Sequence, residues 1–173
     1  MDIGCGEGWL ARELSSLGLN VSGLDVVPEL IQEAKKNGQG EFHLMAYQDL
    51  SNSLITEKFD VAVCNFSLIG KESVEHIFKV TPDILNKGGY LIIQTLHPIM
   101  RCKEHSYQDA WREGSWAGFD NSFRDPAPWY FRTIASWFKL FNENGYNLVQ
   151  LEEPLNPETG EAASLIMVAR VAS

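Results

Sequence analysis

At 173 residues, with 45% apolar and 11% aromatic side chains, the chain has the length of one domain, residues 1–173, and the material for a sizeable core. Fourteen Lys and Arg against twenty-three Asp and Glu give a net charge of −9, a field that repels phosphate backbones and anionic surfaces, so neither nucleic acid nor a membrane is the expected partner. Three cysteines, Cys5, Cys64 and Cys102, are an odd number without zinc spacing; they exclude a closed disulfide framework, give no metal site and fit a reducing cytoplasm.

The chain opens with Asp2-Ile3-Gly4-Cys5-Gly6-Glu7-Gly8 and a helical run from Trp9 through Leu14 and Leu17. Glycines at alternate positions between a strand end and a helix allow a sharp turn and close approach of a ligand to the backbone. Val21 to Val26 reads as a strand ending on Asp25, where a carboxylate can take both hydroxyls of a ribose. Pro28 then opens a helix that closes at Asn37-Gly38. Strands are expected at Glu41 to Ala46, Phe59 to Phe66 and Tyr90 to Leu96, with a helix from about Glu72 to Asn86 that Pro82 should break or kink. Val61-Ala62-Val63-Cys64 and Tyr90-Leu91-Ile92-Ile93 are continuously apolar, the mark of parallel strands covered on both faces. These elements predict an α/β, doubly wound, mostly parallel sheet.

Pro98 to Arg132 has no sustained period but carries Trp111, Trp116, Phe119, Phe123, Trp129, Tyr130 and Phe131, so it reads as an aromatic insertion. A helix over Thr133 to Asn144 follows. Asn147 to Glu153 and Ser164 to Val171 then form strands whose connection is too short for a crossover helix, which predicts a C-terminal antiparallel hairpin.

Two acids and a glycine turn at one sheet edge point to a nucleoside-like ligand. A nicotinamide dinucleotide fits less well, because Trp9 stands where its fingerprint needs a third glycine. Asp2, beside the turn, suits a cationic amino-acid head group better than a pyrophosphate. On these residues the sequence resembles the class I S-adenosylmethionine-dependent methyltransferases of the small-molecule, UbiG-like type. Asp2 to Gly8 is similar to the family's first motif, Asp25 to its ribose-binding acid, Phe59-Asp60-Val61-Ala62-Val63 to its fourth strand, and Leu85-Asn86-Lys87-Gly88-Gly89-Tyr90-Leu91 to the loop into its fifth.

The resemblance implies a Rossmann-like fold, S-adenosyl-L-methionine as cofactor, and methyl transfer to an O, N or C nucleophile of a small molecule. It implies that Asp2, Gly4, Cys5 and Gly6 line the methionine part, that Asp25 holds the ribose, that Val26 flanks the adenine, and that Tyr47 and Gln48 lie at the adenine edge. Asn65-Phe66-Ser67, ending the fourth strand, is expected beneath the sulfonium, with Asn65 either there or only capping the strand end. His97, ending the fifth, either takes a proton from the substrate as the catalytic base or is a structural histidine. Trp111, Trp129, Tyr130 and Arg132, with His97, are the expected substrate contacts, within an insertion over residues 98–132 that forms either a lid or a local mini-core packed on the sheet; Arg132 either clamps a carboxylate or pairs with Asp125 or Glu153. Glu152-Glu153 reads as a solvated face. In the family the first strand is central and preceded by helices; here it is largely missing, with Met1-Asp2-Ile3 in its place, which predicts exposed edges on the second and fourth strands, self-association through them, and impaired activity. An impaired cofactor-binding or regulatory module is the second reading, and an NAD-dependent oxidoreductase the third.

Overall fold

The computed structural model describes residues 1–102, 105–114 and 127–172, so Trp116, Phe119, Phe123 and Asp125 of the aromatic insertion lie outside the described residues. Five parallel strands, β1 (Asp2–Ile3), β2 (Ser22–Asp25), β3 (Glu41–Leu44), β4 (Phe59–Asn65) and β5 (Leu85–Leu96), pair in the order β3-β2-β1-β4-β5. The sheet is completed by β9 (Ser164–Val171), antiparallel to β5, and β8 (Tyr146–Glu152), antiparallel to β9. The reversal of direction falls where the connection contains Asn156-Pro157-Glu158-Thr159-Gly160, turn residues that need no helix between the strands.

Helices cover both faces, which is why the central strands are apolar throughout. On one face α1 (Trp9–Ser16) and α2 (Pro28–Asn37) bury Ala11, Ile31 and Ala34 with Cys5 and Phe42. On the other, α3 (Glu72–Ile84) and α4 (Ile134–Glu143) meet through Phe78, whose ring lies edge-on to Phe141 at 4.9 Å, with Trp137 and Tyr146 beside it. Tyr146 donates to Thr81 Oγ1 (2.8 Å), which donates to the Ile77 carbonyl (2.7 Å), so this polar pair is satisfied inside the core.

Two expectations are corrected. Pro82 does not break α3 where it stands; the helix runs on to Ile84, and the chain turns extended at Leu85, so β5 begins five residues before Tyr90. Within the insertion, where no period was legible, β6 (Ala110–Arg112) and β7 (Trp129–Phe131) form a two-stranded antiparallel sheet.

The first strand has two residues yet keeps the central place. Asp2 pairs with Gly23 on one side and Val63 on the other, while the Met1 amino group donates to the Val61 carbonyl (2.7 Å) and Val63 N–H to the Met1 carbonyl (2.8 Å). Beyond Met1, at the amino edge of the sheet, a cleft of about 1250 Å³ opens between β2 and β4, lined by Met1, Leu14, Leu19, Val21, Phe59 and Val61 among others. Thus β2 and β4 share a partner over their carboxyl halves and face each other across a gap below it. Among the described residues no helix is long and apolar enough to cross a membrane.

Candidate active site

The carboxyl edge of the parallel strands is where an open α/β sheet binds ligands. Here the turn after β1 is held from three sides. Gly4 and Cys5 N–H donate to the Leu24 carbonyl (2.8 and 2.9 Å), Ser67 Oγ donates to the Ile3 carbonyl (2.6 Å), and Gly6 N–H donates to Asp25 Oδ2 (2.9 Å). The other Asp25 oxygen accepts from Val27 N–H at 2.9 Å, so one carboxylate ties the glycine turn to the start of α2. Each oxygen keeps a further lone pair for a hydroxyl.

Gly4 and Gly6 serve different ends. At Gly4 (φ 77°) a Cβ would lie 2.3 Å from both Ser67 Cβ and Tyr47 Oη, so the glycine is there for packing. At Gly6 (φ 56°) a Cβ would meet nothing within 4 Å, so the turn faces open space. Trp9, Val26, Phe66 and Ile69, on the segments that leave this edge, carry exposed apolar side chains. Phe66 has φ 52°, a left-handed backbone that costs a non-glycine residue about 1–3 kcal/mol and collects at functional sites.

Two buried side-chain atoms at this edge lack a hydrogen-bond partner, and beside them stands a carboxylate whose charged company is the Met1 amine. The Asp2 carboxylate is 2% exposed, takes no hydrogen bond from a described residue, and has its pKa pushed up to about 6, chiefly by burial. Asn65 Oδ1 and His97 Nδ1 are buried without a hydrogen bond, the only two such side-chain nitrogen or oxygen atoms among the described residues. Orphaned acceptors on neighbouring strands are what a missing donor leaves behind.

The model of a methyltransferase domain family matches residues 1–93, more than half of the chain, including the glycine turn, Asp25 and the end of β4. The chain belongs to that methyltransferase domain family. A ubiquinone biosynthesis O-methyltransferase of Xanthomonas oryzae pv. oryzae is 29% identical over 102 residues, covering 56% of this chain and 42% of that protein. One from Xylella fastidiosa is 30% identical over 105 residues, covering 56% of this chain and 41% of its own. The chain thus spans about two fifths of the length of these curated relatives. Among solved structures, an S-adenosylmethionine-dependent methyltransferase from Mesorhizobium loti superposes with a TM-score of 0.76 at 21% identity, covering 98% of this chain and 88% of that one. The CcbJ methyltransferase of Streptomyces caelestis gives 0.75 at 17% identity, covering 99% and 82%.

In this methyltransferase domain the expected residues divide. Asp2, Gly4, Gly6, Asp25, Val26, Asn65 and Phe66 gather at the carboxyl edge around the glycine turn. Cys5 contributes backbone only: its thiol packs toward Gly23 in the α1–α2 core, and burial pushes its pKa up to about 12. Tyr47 turns its hydroxyl inward to the Ser67 carbonyl (3.1 Å), closing over Gly4 and away from an outer edge, while Gln48 stays exposed. Burial raises the Tyr47 phenol above its ordinary value, so it remains a donor.

The aromatic insertion is anchored at the same edge, because Tyr130 N–H donates to the Ile69 carbonyl at 2.7 Å. Trp111 is half exposed and meets Tyr130 edge-on at 5.5 Å. Trp129 is held from below by the Arg112 guanidinium, which lies 5.6 Å from its ring and 3.5 Å from that of Phe131. Arg132, expected as a substrate clamp, has its two terminal nitrogens committed to the Gly70 and Lys71 carbonyls (both 2.9 Å) and packs between Tyr130 and Trp137. It fastens the loop ahead of α3, and its 4% exposure leaves little of it for a ligand.

The partnerships of Ser67 and Glu153 carry no signal in the sequence. Ser67 belongs to the Asn65-Phe66-Ser67 stretch expected at the end of β4, but nothing local foretells that its hydroxyl closes β1. Glu153 read as solvated, yet its Oε1 lies 2.7 Å from His97 Nε2, a pairing across 56 residues that no spacing could reveal.

Proposed function

We propose that the carboxyl edge binds S-adenosyl-L-methionine and that the chain transfers its methyl group to a nucleophilic O, N or C atom of a small molecule. The observation that carries this is the open space over Gly6, whose N–H is held by the Asp25 carboxylate, with a second carboxylate of different character, the buried Asp2, on the strand that leads into the turn. Asp25, partly exposed and anchored by two backbone N–H groups, suits a pair of ribose hydroxyls. Asp2, buried and without a donor, suits an ammonium, whose positive charge would offset the cost of ionising it there. When bound, the sulfonium supplies an already activated methyl, so the protein has to position, orient and exclude water; orientation alone can supply up to roughly 7–11 kcal/mol of a barrier. Phe66 beneath, with Trp111, Trp129 and Tyr130 over the edge, would exclude that water.

An oxygen acceptor is the first to try, because the curated relatives cited above are named O-methyltransferases. Three unpaired thiols accord with a cytoplasmic setting. The test is calorimetry with S-adenosylhomocysteine and with NAD, followed by detection of S-adenosylhomocysteine released from S-adenosylmethionine in the presence of pooled small hydroxylated and aminated metabolites. Micromolar binding of the homocysteine derivative with no response to NAD, followed by release in at least one pool, is expected. Tighter binding of NAD would overturn the cofactor, and binding without release in any pool would favour the regulatory module.

A further inference from the structure

His97 is 3% exposed and hydrogen-bonded at one nitrogen only, the Nε2 that faces Glu153 Oε1 at 2.7 Å. The carboxylate is half exposed, on the chain just past β8, whereas the imidazole follows the last residue of β5 at the ligand-binding edge. A carboxylate is an acceptor only, so this contact requires a proton on Nε2. In a neutral imidazole the lone pair must then reside on Nδ1, the atom that is buried with nothing to accept from.

We infer that Glu153 is a positioning residue that fixes the tautomer of His97, and that His97 Nδ1 is the base that takes the proton of a hydroxyl acceptor. The inference rests on the methyl-transfer reading above and adds to it the class of acceptor, a phenol or alcohol whose O–H must be lost. As the acceptor oxygen bonds to the methyl carbon, the C–S bond breaks and its electron pair stays on sulfur; the hydroxyl proton passes to Nδ1. The resulting imidazolium is held by the Glu153 carboxylate, as in other base-and-orienter pairs. A plain structural histidine would pair both nitrogens; here the second is buried without a hydrogen-bond partner and the first is held by a charged group.

The test uses protein labelled with ¹⁵N at histidine, with the His97 signals assigned through His97→Gln or, if that variant does not fold, through their selective response to Glu153→Ala. Long-range proton–nitrogen spectra are expected to show the proton on Nε2 in the wild type and a mixture of tautomers in Glu153→Ala. With S-adenosylhomocysteine at saturation, phenol or benzyl alcohol is expected to move the Nδ1 resonance of the wild type and leave Nε2 in place. A proton on Nδ1 in the wild type, an unchanged tautomer in Glu153→Ala, or an Nδ1 resonance that neither hydroxyl probe moves would each overturn the assignment. Calorimetry on Glu153→Ala should give S-adenosylhomocysteine affinity within twofold of wild type. Failure of the wild type to bind it would instead overturn the cofactor reading and leave the tautomer result standing by itself.

Discussion

The two edges of the parallel sheet invite opposite judgements from size and from chemistry. The amino edge holds a cleft of about 1250 Å³ between β2 and β4, lined largely by ordinary aliphatic and loop residues. The carboxyl edge is more tightly built, yet it concentrates a strained Phe66, two buried polar atoms without partners, a buried carboxylate that feels the Met1 amine and Asp25, and a glycine turn open to solvent. Volume alone would select the amino edge. What separates them is unmet bonding demand, since buried polar groups without partners and backbone held in a costly conformation are maintained only where something else compensates.

The largest expected effect tests how tightly the carboxyl edge is built. Gly4→Ala would set a Cβ 2.3 Å from Ser67 Cβ and Tyr47 Oη at φ 77°, combining overpacking with a left-handed backbone. Together these should cost about 3–5 kcal/mol and lower the thermal midpoint by roughly 6–20 °C. Gly18→Ala at the amino-edge cleft has a similar φ of 85° but nothing within 4 Å, so only the backbone term remains, about 1 kcal/mol. Equal losses in thermal denaturation would mean that the two edges do not differ in packing.

Asp25→Ala comes next. It removes an acceptor for two ribose hydroxyls and the anchor of Gly6 and Val27, so S-adenosylhomocysteine affinity should fall by about 30- to 150-fold, or 2–3 kcal/mol. Leu19→Asp in the cleft should leave that affinity within twofold. Calorimetry on both folded variants decides which edge binds, and the reverse pattern would move the site to the cleft.

The comparison also explains what was legible beforehand. Strand and helix periods, the alternate glycines and Asp25 are local signals, and the sheet they predict is the one observed, with β1 central even at two residues. The partnerships that give the carboxyl edge its chemistry are long-range: Ser67 with Ile3, Tyr47 with Ser67, His97 with Glu153. Each depends on where separate strands end relative to one another, which a single sequence does not encode in any window. Arg132 shows the converse, since an arginine among aromatics suggests a ligand clamp, and only the fold reveals two backbone carbonyls waiting for it.

A smaller effect follows from Asp2. Its folded-state pKa is raised to about 6 from 3.8, so between those values the folded protein holds a proton that the unfolded chain has lost. Stability of the ligand-free protein should therefore fall through Asp2 as pH rises from about 4 to 6, and recover between about 6 and 8, where the unfolded chain holds a proton that the folded Met1 amine has lost. Affinity for an ammonium-bearing ligand should run the other way, rising about tenfold from pH 5 to 7 as the carboxylate ionises. The Met1 amine, itself pushed down to about 6 by burial, loses its charge over the same range and so leaves Asp2 in greater need of a cation. Calorimetry across that range on wild type and Asp2→Asn is the check; a slope that persists in Asp2→Asn would take Asp2 out of the ammonium site.

The smallest expected effect concerns the cleft itself. Met1 already pairs with β4 through the Val61 carbonyl and Val63 N–H in the manner of a parallel strand, so residues fused ahead of it would be directed into the gap between β2 and β4. Five fused residues alternating Val and Thr could bond to the free edges of both strands and bury Leu19, Val21 and Phe59. Each ordered residue costs about 1–2 kcal/mol of backbone entropy, while each added hydrogen bond returns only about 0.5–1.5 kcal/mol net, so apolar burial has to supply the surplus. A net gain of about 1 kcal/mol is expected, raising the thermal midpoint by about 2–4 °C, against no gain for a Gly-Ser extension of the same length. S-adenosylhomocysteine affinity should tighten by no more than severalfold, because the glycine turn is already held by Leu24, Asp25 and Ser67. A tightening as large as the loss in Asp25→Ala would show instead that the two edges are strongly coupled through β1, and that the cleft governs the site.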